Sequence, residues 1–175
     1  QREGITNLKK LEDQLKTKDK TLVFSEKSGI DADYLTVLKR EVGSYKPNPV
    51  KLSAFPGIEQ NTLEALDNAG IKNTKKLFSV TRKSSSINDL SKKTGVSKEA
   101  IAEVAALSDL ARLYGVGPVF ARIIYDVGVK SVTDFLKVSG KEFIKIYEDK
   151  TGKKADFSES DIDFSLEVAQ ELMSG

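Results

Sequence analysis

The chain has 175 residues, 39% apolar and 31% charged, the proportions of a soluble globular protein. It contains no Cys and no His, which excludes disulfides, thiolate metal sites, thiol nucleophiles and every triad built on imidazole. A net charge of +2 gives too weak a whole-molecule field to draw in nucleic acid, so any such binding has to come from local patches.

No apolar run approaches the roughly 18 residues that a membrane helix needs, and no charged segment followed by an apolar core stands near Gln1. A soluble, cytoplasmic protein without a membrane partner is the expectation. In chain order, "GITNLKKL" from Gly4 and "SEKSGI" from Ser25 open the sequence. The basic run "KTKDK", Lys16 to Lys20, is diluted by Glu12, Asp13 and Asp19 and reads as a solvated face. "GSYKPNPVK", Gly43 to Lys51, holds two prolines in three residues, which forbids a continuous helix, so residues 46–51 are expected to be a linker.

A short helix around Leu52 leads to a turn at Pro56 and Gly57, and a second helix runs to Gly70. Asn73 or Thr74 then caps a helix through Leu77 and Phe78, and "TRKSSS", Thr81 to Ser86, reads as a polar loop. After a helix that stops at Gly95, Ser97 caps a segment with Ile101, Val104, Ala105 and Leu107 on one apolar stripe. Beyond "LYGVGPVFARIIYDVG", Leu113 to Gly128, Ser139 and Glu142 stand at capping-box spacing. Ser158 begins a final helix carrying Ile162, Leu166, Ala169 and Leu172. No alternating strand pattern is found, so the fold is expected to be all-α.

Self-similarity organises these elements. Residues Leu52 to Val80 lie without a gap on Leu110 to Val138, so that Gly57 meets Gly115, Gly70 meets Gly128 and Ile58 meets Val116. "KKTG" at Lys92 answers "DKTG" at Asp149, and Gly4 to Leu11 lies on Gly70 to Leu77. The expected organisation is a partial copy at 1–45, a linker at 46–51, and complete copies at 52–109 and 110–175, each of about five short helices. The glycine hairpin of the partial copy would lie upstream of Gln1 in this alignment.

Leu113, Gly115, Val116, Gly117, Ala121, Ile124 and Gly128 resemble the helix-hairpin-helix motif in its most regular form. Gly115 and Gly117 let the backbone turn sharply, Val116 plugs the space between helices, Ala121 permits close approach, and Pro118 suits the first helical position. Residues Leu52 to Met173 as a whole are similar to a bacterial domain-of-unknown-function family built from paired helix-hairpin-helix units.

The helix-hairpin-helix resemblance implies sequence-independent binding of DNA or RNA, with free amides and a helix N-terminus meeting a phosphate. Gly115, Val116, Gly117, Arg112, Arg122 and Lys130 are the candidate contacts. Two departures stand out: Val119 and Phe120 occupy the places where DNA-binding members carry Lys or Arg, and the sister hairpin has Glu59 opposite Gly117. Residues 1–51 hold 11 basic against 8 acidic side chains, 52–109 hold 8 against 7, and 110–175 hold 9 against 11. The most regular hairpin thus sits in the most acidic copy.

Phe120, Tyr125, Phe135, Phe143 and Tyr147 fall at helical spacings in apolar stripes, the pattern of a core. The context that glycosylases of the hairpin class place around a catalytic Asp is missing at Asp134, and no phosphate-binding Gly-Lys-Ser or Gly-Lys-Thr loop occurs. The sequence therefore reads as a non-enzymatic module without cofactor or metal. A protein-interaction or scaffolding module with purely structural hairpins is the alternative, and nothing in the sequence fixes an oligomeric state.

Overall fold

The computed structural model describes residues 4–45, 48–81 and 84–173, with side chains omitted for 84, 85 and 171–173. The expected linker positions Lys46 and Pro47, the loop positions Arg82 and Lys83, and the Leu172 side chain lie outside the described residues. Among the described residues the chain forms eleven α-helices and no strand. The nearest approach to a sheet is an isolated antiparallel bridge between Lys51 and Asn73.

The helices are α1 (Leu8–Leu15), α2 (Lys18–Ser28), α3 (Ala32–Ser44), α4 (Gln60–Asn68), α5 (Thr74–Thr81) and α6 (Ser84–Thr94). They continue with α7 (Lys98–Leu110), α8 (Pro118–Asp126), α9 (Val132–Phe135), α10 (Gly140–Thr151) and α11 (Glu159–Met173), and a 3-10 turn at Leu52–Ala54 precedes α4. The stretch read as a loop, Thr81 to Ser86, is shorter than that: Thr81 ends α5 and Ser84 already starts α6. Serines are neutral enough in a first helical turn for the apolar pattern of Ile87 and Leu90 downstream to extend over them.

The chain divides into two compact units, residues 1–47 with 167–175, and residues 48–166. In the first, Leu15, Phe24 and Leu35 form a core with Ile5, Leu11 and Leu38 packed against it. In the second, Leu66, Leu77, Ile101, Leu107, Leu110, Ile124, Phe135 and Phe143 have no exposed surface, and α7 packs on α5, α6 and α8. At about 25 cal/mol per Å² of apolar surface removed from water, each such side chain contributes roughly 1.5–3 kcal/mol before entropy is counted.

Most helix starts are capped as their sequences dictate. Asn7, Thr17, Asp31, Ser97, Ser131 and Ser139 each accept a backbone N–H of the first turn, and Asn73 and Ser158 do the same for α5 and α11. Ser139 and Glu142 form a reciprocal capping box.

Among the described residues every residue with positive φ is a glycine, and the eight fall at matched places: Gly4, Gly70 and Gly128; Gly29, Gly95 and Gly152; Gly57 and Gly115. The hydrogen bonds around them recur too. The Ser25 hydroxyl donates to the Ile30 carbonyl at 2.6 Å and the Ser91 hydroxyl to the Val96 carbonyl at 2.7 Å. The Ile71 amide donates to Leu66 at 2.8 Å and the Val129 amide to Ile124 at 3.2 Å.

Candidate functional site

The site grows from two turns of like construction in the unit formed by residues 48–166. In the later turn α7 ends at Leu110, the Leu113 amide donates to the Leu110 carbonyl at 3.1 Å, and Gly115 takes φ 77°. A side chain other than hydrogen is strained in that left-handed region, and a Cβ on Gly115 would also stand 3.0 Å from the Ser165 hydroxyl. Val116 is buried, with its amide on the Leu113 carbonyl at 3.0 Å, and so anchors the turn to the core.

Gly117 differs from Gly115. Its φ of −81° and ψ of 176° are extended backbone open to any residue, and a Cβ there would meet nothing within 4 Å. The sharp reversal expected of both glycines is therefore made by Gly115 alone. Pro118 occupies the first helical position, as expected, and Ala121 and Ile124 of α8 are fully buried.

Gly117 provides no side chain to cap α8. The Ala121 amide is the first to find a helical acceptor, on Gly117 at 2.9 Å; among the described residues the Val119 and Phe120 amides have none. Val119 is 62% exposed, and the positive end of the α8 dipole lies at this turn.

The earlier turn uses Gly57, also at φ 77°, after the buried Phe55. Here Glu59 stands at the start of α4 with no side-chain cap bond, and the Leu63 amide takes the Glu59 carbonyl at 3.1 Å. Of the helices whose N-cap is described, α4 and α8 alone lack a side-chain cap, and on α4 a carboxylate occupies the place.

Arg122 binds the two turns together. Its Nε donates to the Pro56 carbonyl at 2.8 Å, and its Nη1 pairs with Glu103 at 2.6 Å and Asp126 at 3.3 Å. The side chain is only 14% exposed, and its guanidinium lies 3.5 Å from where a Cβ on Gly57 would sit. Burial acts to lower the Arg122 pKa, but hydrogen bonds and charge from Glu103 and Asp126 outweigh it and raise the value. Nη2 is buried and has no acceptor among the described residues.

The other candidate cations also have partners. Arg112 Nε meets Asp109 at 2.6 Å, and Lys130 Nζ lies 4.8 Å above the Tyr125 ring, two helical turns from the start of α8. Arg112, Arg122 and Lys130 are thus each engaged within the chain. The Pro56 carbonyl and Glu103 carry no signal in the sequence, because their pairing with Arg122 spans turns far apart along the chain.

Asp134 is exposed in a local cap: it accepts the Ser131 hydroxyl at 2.6 Å and lies 3.2 Å from Lys137 Nζ, and both lower its pKa, Ser131 the more. Glu142 is held below the usual glutamate value by the Ser139 amide first and its hydroxyl second. Among the described residues no group of three or more acidic side chains is placed to hold a metal ion, and no helix is long and apolar enough to cross a membrane.

No curated protein and no solved structure matches this chain. The family described as Domain of unknown function (DUF4332) matches residues 56–154, which contain both glycine turns, Glu103 and Arg122, and the chain belongs to that family.

Proposed function

We propose that the protein is a non-enzymatic module of helix-hairpin-helix copies, partial at 1–45 and complete at 52–109 and 110–175. In this reading the Gly115–Gly117 hairpin grips a nucleic-acid phosphate without reading bases. One observation carries it: α8 begins without a side-chain cap, and among the described residues the Val119 and Phe120 amides have no acceptor, whereas most of the other helices are capped by Ser, Thr, Asn or Asp. Unpaired N–H groups at the positive end of a helix dipole form an anion site, and a phosphate is the anion that DNA and RNA present.

Glu59 puts a negative charge at the equivalent place on α4, so that turn serves the fold. With Arg122 committed to Pro56 and Glu103, the contact is weak and local. Val119 favours a second reading: an apolar side chain 62% exposed at the hairpin tip suits a protein partner, and the hairpins are then purely structural.

Fluorescence anisotropy of labelled duplex and single-stranded DNA, at low and moderate salt, separates the two. Gly117→Glu is a clean variant because a Cβ fits there without contact. Binding that weakens steeply with salt and is lost in Gly117→Glu supports the phosphate grip. No binding at low salt overturns it, and binding indifferent to the substitution removes this hairpin from the contact.

A further inference from the structure

We propose that the cleft beside Gly115 binds a cationic side chain, lysine or arginine, presented by a partner protein. The cleft encloses about 320 Å³ and is lined by Tyr114, Phe120, Phe157, Asp161, Phe164 and Ser165, with Gly115 and Ile162 completing it. Its walls are aromatic and rigid. Tyr114 meets Phe164 edge to face at 5.6 Å, and Phe120 meets Phe157 at 5.1 Å. Phe120 and Phe157 are backed in turn by the fully buried Phe143.

The polar groups set the sign of the ligand. Ser165 Oγ is spent on the Asp161 carbonyl at 3.0 Å, which leaves the Asp161 carboxylate as the charge on the lining; among the described residues no Lys or Arg lines the cleft. One carboxylate oxygen of Asp161 accepts the Ser158 hydroxyl at 2.6 Å, and the other has no partner among the described residues. Phe164 is 46% exposed, so aromatic surface is open to an incoming group. Ring faces attract cations through their quadrupole, and a carboxylate beside them adds a counter-ion. A nucleobase would fit the walls, but it would carry its phosphates toward Asp161.

The glycine turn does not require Tyr114 or Phe120. At the matched positions of the earlier copy stand Pro56 for Tyr114 and Thr62 for Phe120, and the same turn forms. Phe157, Asp161 and Phe164 lie beyond residues 56–154, so the cleft is a feature of this chain in addition to what the family match covers.

The test is a titration of the ¹⁵N-labelled full chain with three capped tripeptides, glycine–X–glycine, where X is arginine, lysine or the neutral isostere norleucine. Arginine and lysine peptides are expected to shift the amide resonances of Tyr114, Gly115 and Phe164 in the millimolar range, and norleucine to leave them in place. Asp161→Asn keeps an oxygen for the Ser158 hydroxyl, and Phe164→Ala removes a ring that is 46% exposed; the amide spectrum of each variant checks that it is folded before titration. Each is expected to weaken arginine binding at least three-fold.

Equal shifts with norleucine, no shifts with any peptide, or unchanged arginine binding in both Asp161→Asn and Phe164→Ala overturns the proposal. So does deoxyadenosine moving the same resonances where the arginine peptide does not.

Discussion

Arg122 Nε donates to the Pro56 carbonyl at 2.8 Å across 66 residues of chain, so a side chain of α8 holds the turn at Gly57. Removing the side chain loses that bond and strips Glu103 of its counter-ion. Arg122→Ala is expected to cost about 2–3 kcal/mol in urea unfolding, the range for breaking a largely buried charged contact. Lysine has no planar fork and reaches one partner at a time, so Arg122→Lys should recover no more than half. Wild-type stability in Arg122→Lys would show that the fork geometry is irrelevant.

The two glycines of the later hairpin should respond differently. Gly115→Ala places a Cβ in left-handed backbone and 3.0 Å from the Ser165 hydroxyl, an expected loss of about 1–2 kcal/mol. Gly117→Ala, in extended backbone and open space, should change stability by less than about 0.5 kcal/mol. Thermal melts of the pair decide the matter, and equal losses would contradict the assignment of the turn to Gly115.

Gly140 is a tighter site. Its amide donates to Asp163 Oδ1 at 2.6 Å, and a Cβ would collide with the Glu159 carbonyl, which is backbone and has little room to yield. Gly140→Ala is expected to destabilise by about 3 kcal/mol, the upper range for overpacking. A melting temperature close to wild type would mean that the start of α11 shifts freely against α10.

Glu142 and Asp134 link stability to acid. Both carboxylates have folded-state pKa values lowered by hydrogen bonds, to Ser139 and to Ser131 with Lys137. A lowered folded pKa gives stability that is present above the ordinary values of 4.5 and 3.8 and is lost as pH falls through the depressed ones. Glu142→Gln should flatten the acid limb of the urea midpoint plotted against pH, and adding Asp134→Asn should flatten it further. An acid limb unchanged in the double variant would place the acid sensitivity elsewhere.

What the sequence made legible was local. Ser97, Ser139 with Glu142, Asn73 and Ser158 announce helix starts through bonds that close within three residues, and Gly70 and Gly95 announce helix ends as locally. The turn at Gly115 was legible for the same reason. The role of Arg122 was not, since the sequence offers it as a candidate phosphate contact, whereas its partners Pro56 and Glu103 are set by packing. Residues Thr81 to Ser86 show the opposite error, in which polar composition hides a helix start whose apolar face begins farther on.

That contrast between local caps and a distant clasp has a kinetic side. Capped helices and hairpin turns close over a few residues and form early, whereas the contact from Arg122 to Pro56 closes a long loop and comes after chain entropy has been spent. Deleting it should therefore raise the unfolding rate while leaving the refolding rate nearly unchanged, a partition that stopped-flow urea jumps on Arg122→Ala can read directly. Arg122 would then act as a latch: the chain reaches its native arrangement without it, and leaves that arrangement faster when it is gone.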